Sequence, residues 1–484
     1  TNFIYASTPD GFFPITRQHP DSTTRNVTYD DWWNERTIKD ERDIVTKFEY
    51  DGRDRPTDRY DDVNGFNIHT SYKYDENDNV TRVEHEWKDT FDSSLHPALS
   101  RLPAQPRKHV RTYDYYVRGM LKSETVELDD AALTTTYYYD GYGNRRRIES
   151  PLSGVTQRFF NERNQLSRIS KGSQSEVLIT ETFEYDGNGN LEKHIDNRDN
   201  ATTYLYDDFD SFRGSTDAAG NKIEHLLDDS NNIKRTRFFG HPGGPTPVAE
   251  NNPQILLRDI EFEIDEHNHV HTRHDHVLEI KDGESVSNGI LDTRYIYDKE
   301  GLLDFVIDSH GHKTDNDYDS RHRLTKVTDA AGNYTLRILD GNGNIEELHE
   351  HEAAQEGAAE PSGTYVTKSE YNSLNYQIAE TDPLNRTTRF FWDSLGNLRA
   401  QVRKSGVPDG FATLYSWDAL HRKKEKRTEW VRHKKEGGLW ATKWDDLVTT
   451  YKYDLTGGAL SLTIMEKLQG LEGDRNDEDF SSTT

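Results

Sequence analysis

The pair Tyr-Asp returns along this chain at a fixed beat, and that beat constrains the fold more than any single motif. Tyr185-Asp186, Tyr206-Asp207 and the degraded Leu227-Asp228 stand 21 residues apart, as do Tyr297-Asp298, Tyr318-Asp319 and Leu339-Asp340. Tyr29 and Tyr50, Tyr139 and Phe160, and Tyr371 and Trp392 keep the same interval. A fixed period of about 20 to 50 residues marks a repeat architecture, whose units bury their faces against one another. Anchors at 29, 50, 74, 113, 139, 160, 185, 206, 227, 264, 297, 318, 339, 371, 392, 417 and 453 define 17 units.

Each unit has internal structure. Thr stands four residues before the anchor in 12 units, for example Thr70, Thr202 and Thr335, and an aromatic often stands two before it, as at Tyr72, Tyr204 and Phe390. The pattern Thr-x-Tyr-x-Tyr has period two, so on a strand its side chains share one face. Thr and Tyr also suit a pleated surface. The Asp then opens a turn, with Gly143-Asn144 after Asp140, Gly189-Asn190 after Asp186, Gly343-Asn344 after Asp340 and Gly396-Asn397 after Asp393. Asp caps a turn through its side chain, and Gly supplies the positive φ of a short hairpin loop. A second turn follows ten residues later: Asp217 leads to Gly220-Asn221, and Asp329 to Gly332-Asn333. One unit is therefore two short strands and two tight turns.

On these residues the chain resembles the RHS (YD-repeat) proteins, the class found in bacterial Rhs polymorphic toxins, in the BC shell of Tc insecticidal toxins and in teneurins. The segments Tyr185-Asp-Gly-Asn-Gly-Asn-Leu191 and Thr203-Tyr204-Leu205-Tyr206-Asp207 carry the likeness, which spans about residues 29 to 455. The resemblance implies an all-β chain, a long antiparallel sheet that spirals into a hollow shell or barrel. In the toxin families such a shell encloses a cargo polypeptide. It also implies a secreted or cell-surface setting, bacterial for most of the class.

Strand physics reaches part of this unaided. Seventeen hairpins give roughly 34 strands, and at about 4.8 Å each a flat sheet would be about 160 Å wide. Open twisted sheets rarely exceed about ten strands without curling, and curling hides edges that recruit other chains. A β-solenoid of parallel strands is the rival, disfavoured by turns every ten or eleven residues.

Composition agrees with a thin wall. Hydrophobic residues are 32% of the 484, against about half in packed globules. Tyr alone supplies 26 residues. The net charge of −27 opposes nucleic-acid wrapping, which needs cations against phosphates. With Cys at 0, no disulfide or zinc-thiolate site is available. The sequence has no apolar run long enough for a transmembrane helix. It lacks an initiator Met and a signal peptide, and it reads as a processed or partial piece of a longer polypeptide that leaves a sheet edge for another segment or subunit.

The expected organisation is a lead-in over 1–28, a continuous repeat shell over 29–455 and a polar tail over 456–484. Insertions are expected near 86–112 (with Pro97, Pro103 and Pro106), 240–260 (with Pro242, Pro245, Pro247 and Pro253), 349–364 and 420–447. Loops of this kind are where partner-binding surfaces concentrate.

Candidate chemistry is sparse. His267, His269 and His271 alternate, with His274 and His276 beyond; on a strand they would share a face and suit Zn, Ni or Cu, though a His-rich polar face is the plainer account. Asp186-Gly-Asn188-Gly-Asn190 and Asp340-Gly-Asn342-Gly-Asn344 resemble half of an EF-hand loop, without the later Glu, and hairpin turns explain the same letters. Asn-x-Thr sequons at Asn26, Asn79, Asn200, Asn333 and Asn385 largely fall out of the repeat. The basic run Arg422 to Arg427, continued by Arg432, Lys434 and Lys435, is the one positive block and a candidate contact for an acidic partner.

Protease, hydrolase and phosphate-loop motifs are missing, so no catalytic, cofactor or metal residue is assigned and no enzyme activity is expected. Asp382-Pro383 is the only Asp-Pro and sits mid-chain, without the glycines of the autoproteolysis motif that ends toxin shells. The expected function is a structural shell segment that encapsulates or helps deliver a toxin polypeptide. Its partners would be other shell segments or subunits and a toxin cargo or cell-surface partner. A YD-repeat adhesion or fibre protein is the alternative, and a polysaccharide-degrading enzyme the remote one.

Overall fold

The computed structural model describes residues 2–8, 11–102, 108–127, 132–151, 154–173, 175–241, 254–281, 284–354, 362–403, 411–418, 420–436, 439–453, 459–467 and 481–483. These form 37 strands and two short 3-10 turns. Pro103, Pro106, the four prolines from 242 to 253, most of the Ala/Glu stretch and most of the tail lie outside the described residues.

Most turns are closed five-residue units. At 186–190 the Asp186 N–H donates to Asn190 O, and the Gly189 N–H donates to Asp186 O. Asp186 Oδ1 accepts the N–H groups of Asn188, Gly189 and Asn190, and Oδ2 accepts from Asn190 Nδ2 at 3.0 Å. Asp and Asn, four apart, thus lock one another. The fourth residue is left-handed: Gly189 has φ 103, and the same place holds Asp54 (φ 59) and Asn231 (φ 67) in other turns. Glycine relieves the strain there, and Asp and Asn tolerate it.

The strand side chains divide as the period predicts. In Ala201–Tyr206, Thr202, Tyr204 and Tyr206 are half-buried on one face, while Thr203 and Leu205 are exposed on the other. The anchor rings do more than fill a face. The hydroxyls of Tyr50, Tyr74, Tyr139, Tyr185, Tyr297 and Tyr318 donate to the carbonyls of Glu35, Pro56, Leu121, Leu166, Val270 and Leu303. Trp392 and Trp417 do the same through Nε1, to Gln377 and Leu398. Each acceptor is the first residue of the preceding strand, so each of these anchors ties its hairpin to the previous one.

One anchor differs from the sequence reading. The turn near 113 is at 116–120, where the Tyr116 N–H donates to Met120 O and Gly119 is left-handed. The anchor is therefore Tyr115, whose hydroxyl donates to Val80 O at 2.8 Å. Tyr116 replaces the usual Asp, and the Tyr113-Asp114 pair lies within the strand, where Ser123 Oγ donates to Asp114 Oδ2.

Every strand pairs antiparallel with the next along the chain, from Asn2–Thr8 with Gly11–Gln18 to Ala459–Lys467 with Ser481–Thr483. Ladder pairing therefore rules out the parallel solenoid. Among the described residues the two end strands do not pair with each other, so the sheet stays open. Turns alternate between its two edges, one edge carrying the anchor turns and the other carrying the second turns.

The sheet winds. The second turn at 19–23 meets the anchor turn at 319–323, through Arg321 Nη1 and Asp21 Oδ2 at 3.4 Å. The 40–44 turn meets 340–344, through Asn342 Nδ2 and Asp40 Oδ2 at 2.9 Å. The 62–67 turn meets 372–376, through Ser373 Oγ and Asp62 Oδ2 at 2.5 Å. The segment after Glu86 meets 393–397, where the Ser394 N–H donates to Lys88 O at 2.8 Å. Counted along the strand order, each pair is separated by 23 strands. At about 4.8 Å per strand, one revolution is about 110 Å around and about 35 Å across, backbone to backbone. A single sheet wound at that diameter bounds an open lumen.

Surface area agrees. The chain exposes 30562 Å² for a mass of 56.0 kDa, where a compact protein of that mass exposes about 18,000 Å². The ladder bonds, the aspartate turns and the half-buried rows hold the wall, with little conventional core.

Candidate functional site: the seam between windings

The described insertion after Glu86 packs into a cluster of buried hydrophobic residues. Sequence spacing marks it as a loop; the structure makes it a clamp. Ser93–Leu95 and Pro97–Arg101 form 3-10 turns, the first capped by Asp92, whose side chain accepts from the Ser94 N–H. They lay Ala98 and Leu99 on Phe391, Ala400, Val402, Ala412 and Leu414 of the next winding, with Phe91 edge-on to Phe391 at 5.3 Å. Residues 391, 400 and 414 lie on strands elsewhere half wet, so the clamp turns a solvated face into a core.

Beside this cluster the two windings share backbone bonds. The Thr90 N–H donates to Trp392 O, and the Ser394 N–H donates to Lys88 O. His85 and Ser394 Oγ are 3.1 Å apart. Arg399 is fully buried over the Trp87 ring, with Nη1 3.3 Å from Asp89 Oδ1. Burial dominates both charges: it pushes Asp89 up to about 6, against the pull of Arg399, and pushes Arg399 down. Burial also lowers His85 and His421. Further along, Arg42 donates to Asn372 O and Asn375 Oδ1 and lies 3.2 Å from Asp340. The seam is thus built from turn letters, which seat second turns on anchor turns by charge and backbone bonds. Sequence reasoning did not find it, because its partners lie about 300 residues apart.

The sequence candidates fall elsewhere. His267 and His269 lie in the 265–269 turn and only His271 is on a strand, so the three do not form one strand face; they line the mouth of a cleft of about 670 Å³. The His269 ring stacks on Tyr297 at 4.6 Å and its Nδ1 faces Asp265 at 3.5 Å. His274 lies between Asp292 and Glu263, which raise its pKa, and His276 lies 3.7 Å from Glu261. In the EF-hand-like segments the Asp186 carboxylate bonds its own turn, and that of Asp340 bonds its own turn and faces Arg42. Of the sequons, Asn79, Asn200 and Asn333 bond the aspartates of their turns, Asn26 sits on a strand and Asn385 is left-handed.

In the basic run Arg422 pairs with Asp418, Arg427 with Glu425, and Lys423 lies over Tyr415 and Tyr451. These contacts are internal to the wall. Arg432, Lys434 and Lys435 lie on the strand Lys423–Glu436, with side chains outside the described residues. Asp382 accepts the N–H groups of Leu384 and Arg386, an ordinary second turn. Among the described residues no helix is long and apolar enough to cross a membrane.

No family model and no curated protein matches the chain. Solved structures of Tc toxin components match nearly all of it. TcdB2-TccC3-TEV is similar at a TM-score of 0.37 and 11% identity, over 96% of this chain and 35% of that one. TcdB2-TccC3 is similar at 0.34 and 13%, over 97% and 30%. A mutant Tc holotoxin pore of Photorhabdus luminescens is similar at 0.35 and 10%, over 96% and 30%. The chain spans about a third of the length of these chains. The all-β winding itself stands on the strand pairing and the seam.

Proposed function

We propose that this chain is a wall segment of a YD-repeat shell that encloses a polypeptide, and that it works with further shell segments or subunits. The carrying observation is the constant 23-strand offset at the seam, which makes a thin sheet into a wound wall with a lumen. The large exposed surface and the sparse core support the same reading, since a wall needs two wet faces. Enclosure of a toxin, in a secreted or surface-bound bacterial assembly, is the cargo role this geometry suits. Catalysis by the wall is not part of the proposal. Electron microscopy of the purified chain should show a ring or short coil with an empty centre; a solid rod or flat ribbon would overturn the shell and favour a fibre. An unstructured polypeptide co-expressed with the chain and its flanking shell segments should resist trypsin. Digestion at the rate of the free polypeptide would remove the cargo role while leaving the wall.

A further inference from the structure

Asn is the commonest fifth residue of the turns, as in Asp329-Ala-Ala331-Gly-Asn333, where the third is the small Ala331. Two turns instead carry His at both places: Asp265-Glu-His267-Asn-His269 and Asp308-Ser-His310-Gly-His312. The turn geometry projects the first, third and fifth side chains together. In the second of these turns the His310 and His312 rings stack at 5.8 Å and 18°. His312 Nδ1 is 2.9 Å from Asp308 Oδ2. One donor atom from each of Asp308, His310 and His312 lies within 4.8 Å of the other two, and all three residues are exposed.

We propose that Asp308, His310 and His312 form a binding site for a divalent transition-metal ion of the zinc or nickel kind. Two imidazoles and one carboxylate match that class, whereas calcium and magnesium take oxygen ligands. Metal bonds of about 2.0–2.2 Å place donors closer than they now stand. The gap closes by rotation of the exposed His310 ring, which stacks on His312 and meets Ser309 Oγ at 3.4 Å. Asp308 keeps Oδ1 on the N–H groups of His310 and His312, so the turn survives while Oδ2 turns to the ion. Three protein ligands leave further coordination positions for water or for a donor on another molecule. The 265–269 turn repeats the ring pair at 6.0 Å, but there His269 is stacked on Tyr297, and the ligand set is less free to close.

The test is a calorimetric titration of Zn²⁺ alone into the full chain carrying His267→Ala and His269→Asn, which removes the other paired-His turn. One saturable equivalent is expected at pH 7.5, lost when His310→Ala and His312→Asn are added. Removing even an outer partner of a metal ligand costs roughly 10–100-fold in affinity, so removing two ligands should abolish the site. Those two changes restore letters that the chain already uses in its 329–333 turn, so the melting curve should be unchanged. If the pair melts early, His310→Ala alone carries the test, because it leaves the Asp308–His312 contact in place. Absence of a saturable equivalent, or one that survives the loss of His310, would overturn the proposal.

Discussion

At the scale of single residues, the fold is a repeated bargain between one aromatic and one carboxylate. The aromatic ties its hairpin to the previous one, and the carboxylate collects the N–H groups that a tight turn leaves open. Tyr185→Phe removes only the hydroxyl that donates to Leu166 O at 2.9 Å. The expected loss is about 1 kcal/mol, the net worth of a typical hydrogen bond, read from urea unfolding. The carboxylates set the acid limit. The turn bonds hold Asp75, Asp140, Asp186, Asp196 and Asp329 below their ordinary range, chiefly through the Asn that closes each turn, and Arg55 holds Asp51 down to about 2. Depressed folded values mean that this stability is present above about pH 4 and is lost as pH falls through them. Circular dichroism should therefore show cooperative loss of sheet between about pH 4 and pH 2; a flat response down to pH 2 would contradict it. These letters were legible in the sequence because a turn is local. The exception, Tyr116 in place of Asp, hid one anchor by removing half of its signature.

At the scale of elements, spacing revealed the insertion after Glu86 but not its role. A period-two pattern reports that Phe391 and Ala400 lie on a strand face; it cannot report that residues 98 and 99 cover that face from another winding. Phe391→Ala should cost about 3–5 kcal/mol, as for a buried aromatic, in chemical unfolding. A loss under about 1 kcal/mol would say that the clamp does not seal a core. Asp89 gives the seam a pH signature. Its folded value is raised to about 6, so its contribution is present below about pH 4 and fades as pH rises through 6. The neighbouring His85 and His421 are held down and act in the opposite sense, losing stability as pH falls below about 6.5. Comparison with Asp89→Asn isolates the carboxyl: the melting temperature of the wild type minus that of the variant should fall between pH 4 and pH 7. A difference that rises over that interval would contradict the assignment.

At the scale of the whole molecule, the sequence told that so many strands must curl, and the antiparallel hairpins followed from turn spacing. The pitch did not. It arises from small twists summed over 23 strands and is fixed by seam contacts such as Asn342 with Asp40, which no local pattern records. The winding is also the claim on which the lumen rests. The chain has no cysteine, so spin labels can be placed pairwise on exposed turn residues without background. Asp31→Cys with Ser320→Cys labels turns 22 strands apart on one edge, and Asn77→Cys with Ser230→Cys labels turns 12 strands apart. Pulsed dipolar spectroscopy should give about 25–30 Å for the first pair, one winding height, and about 35 Å for the second, across the lumen. A sheet that does not wind would put the pairs about 106 Å and about 58 Å apart, and those distances would contradict the account.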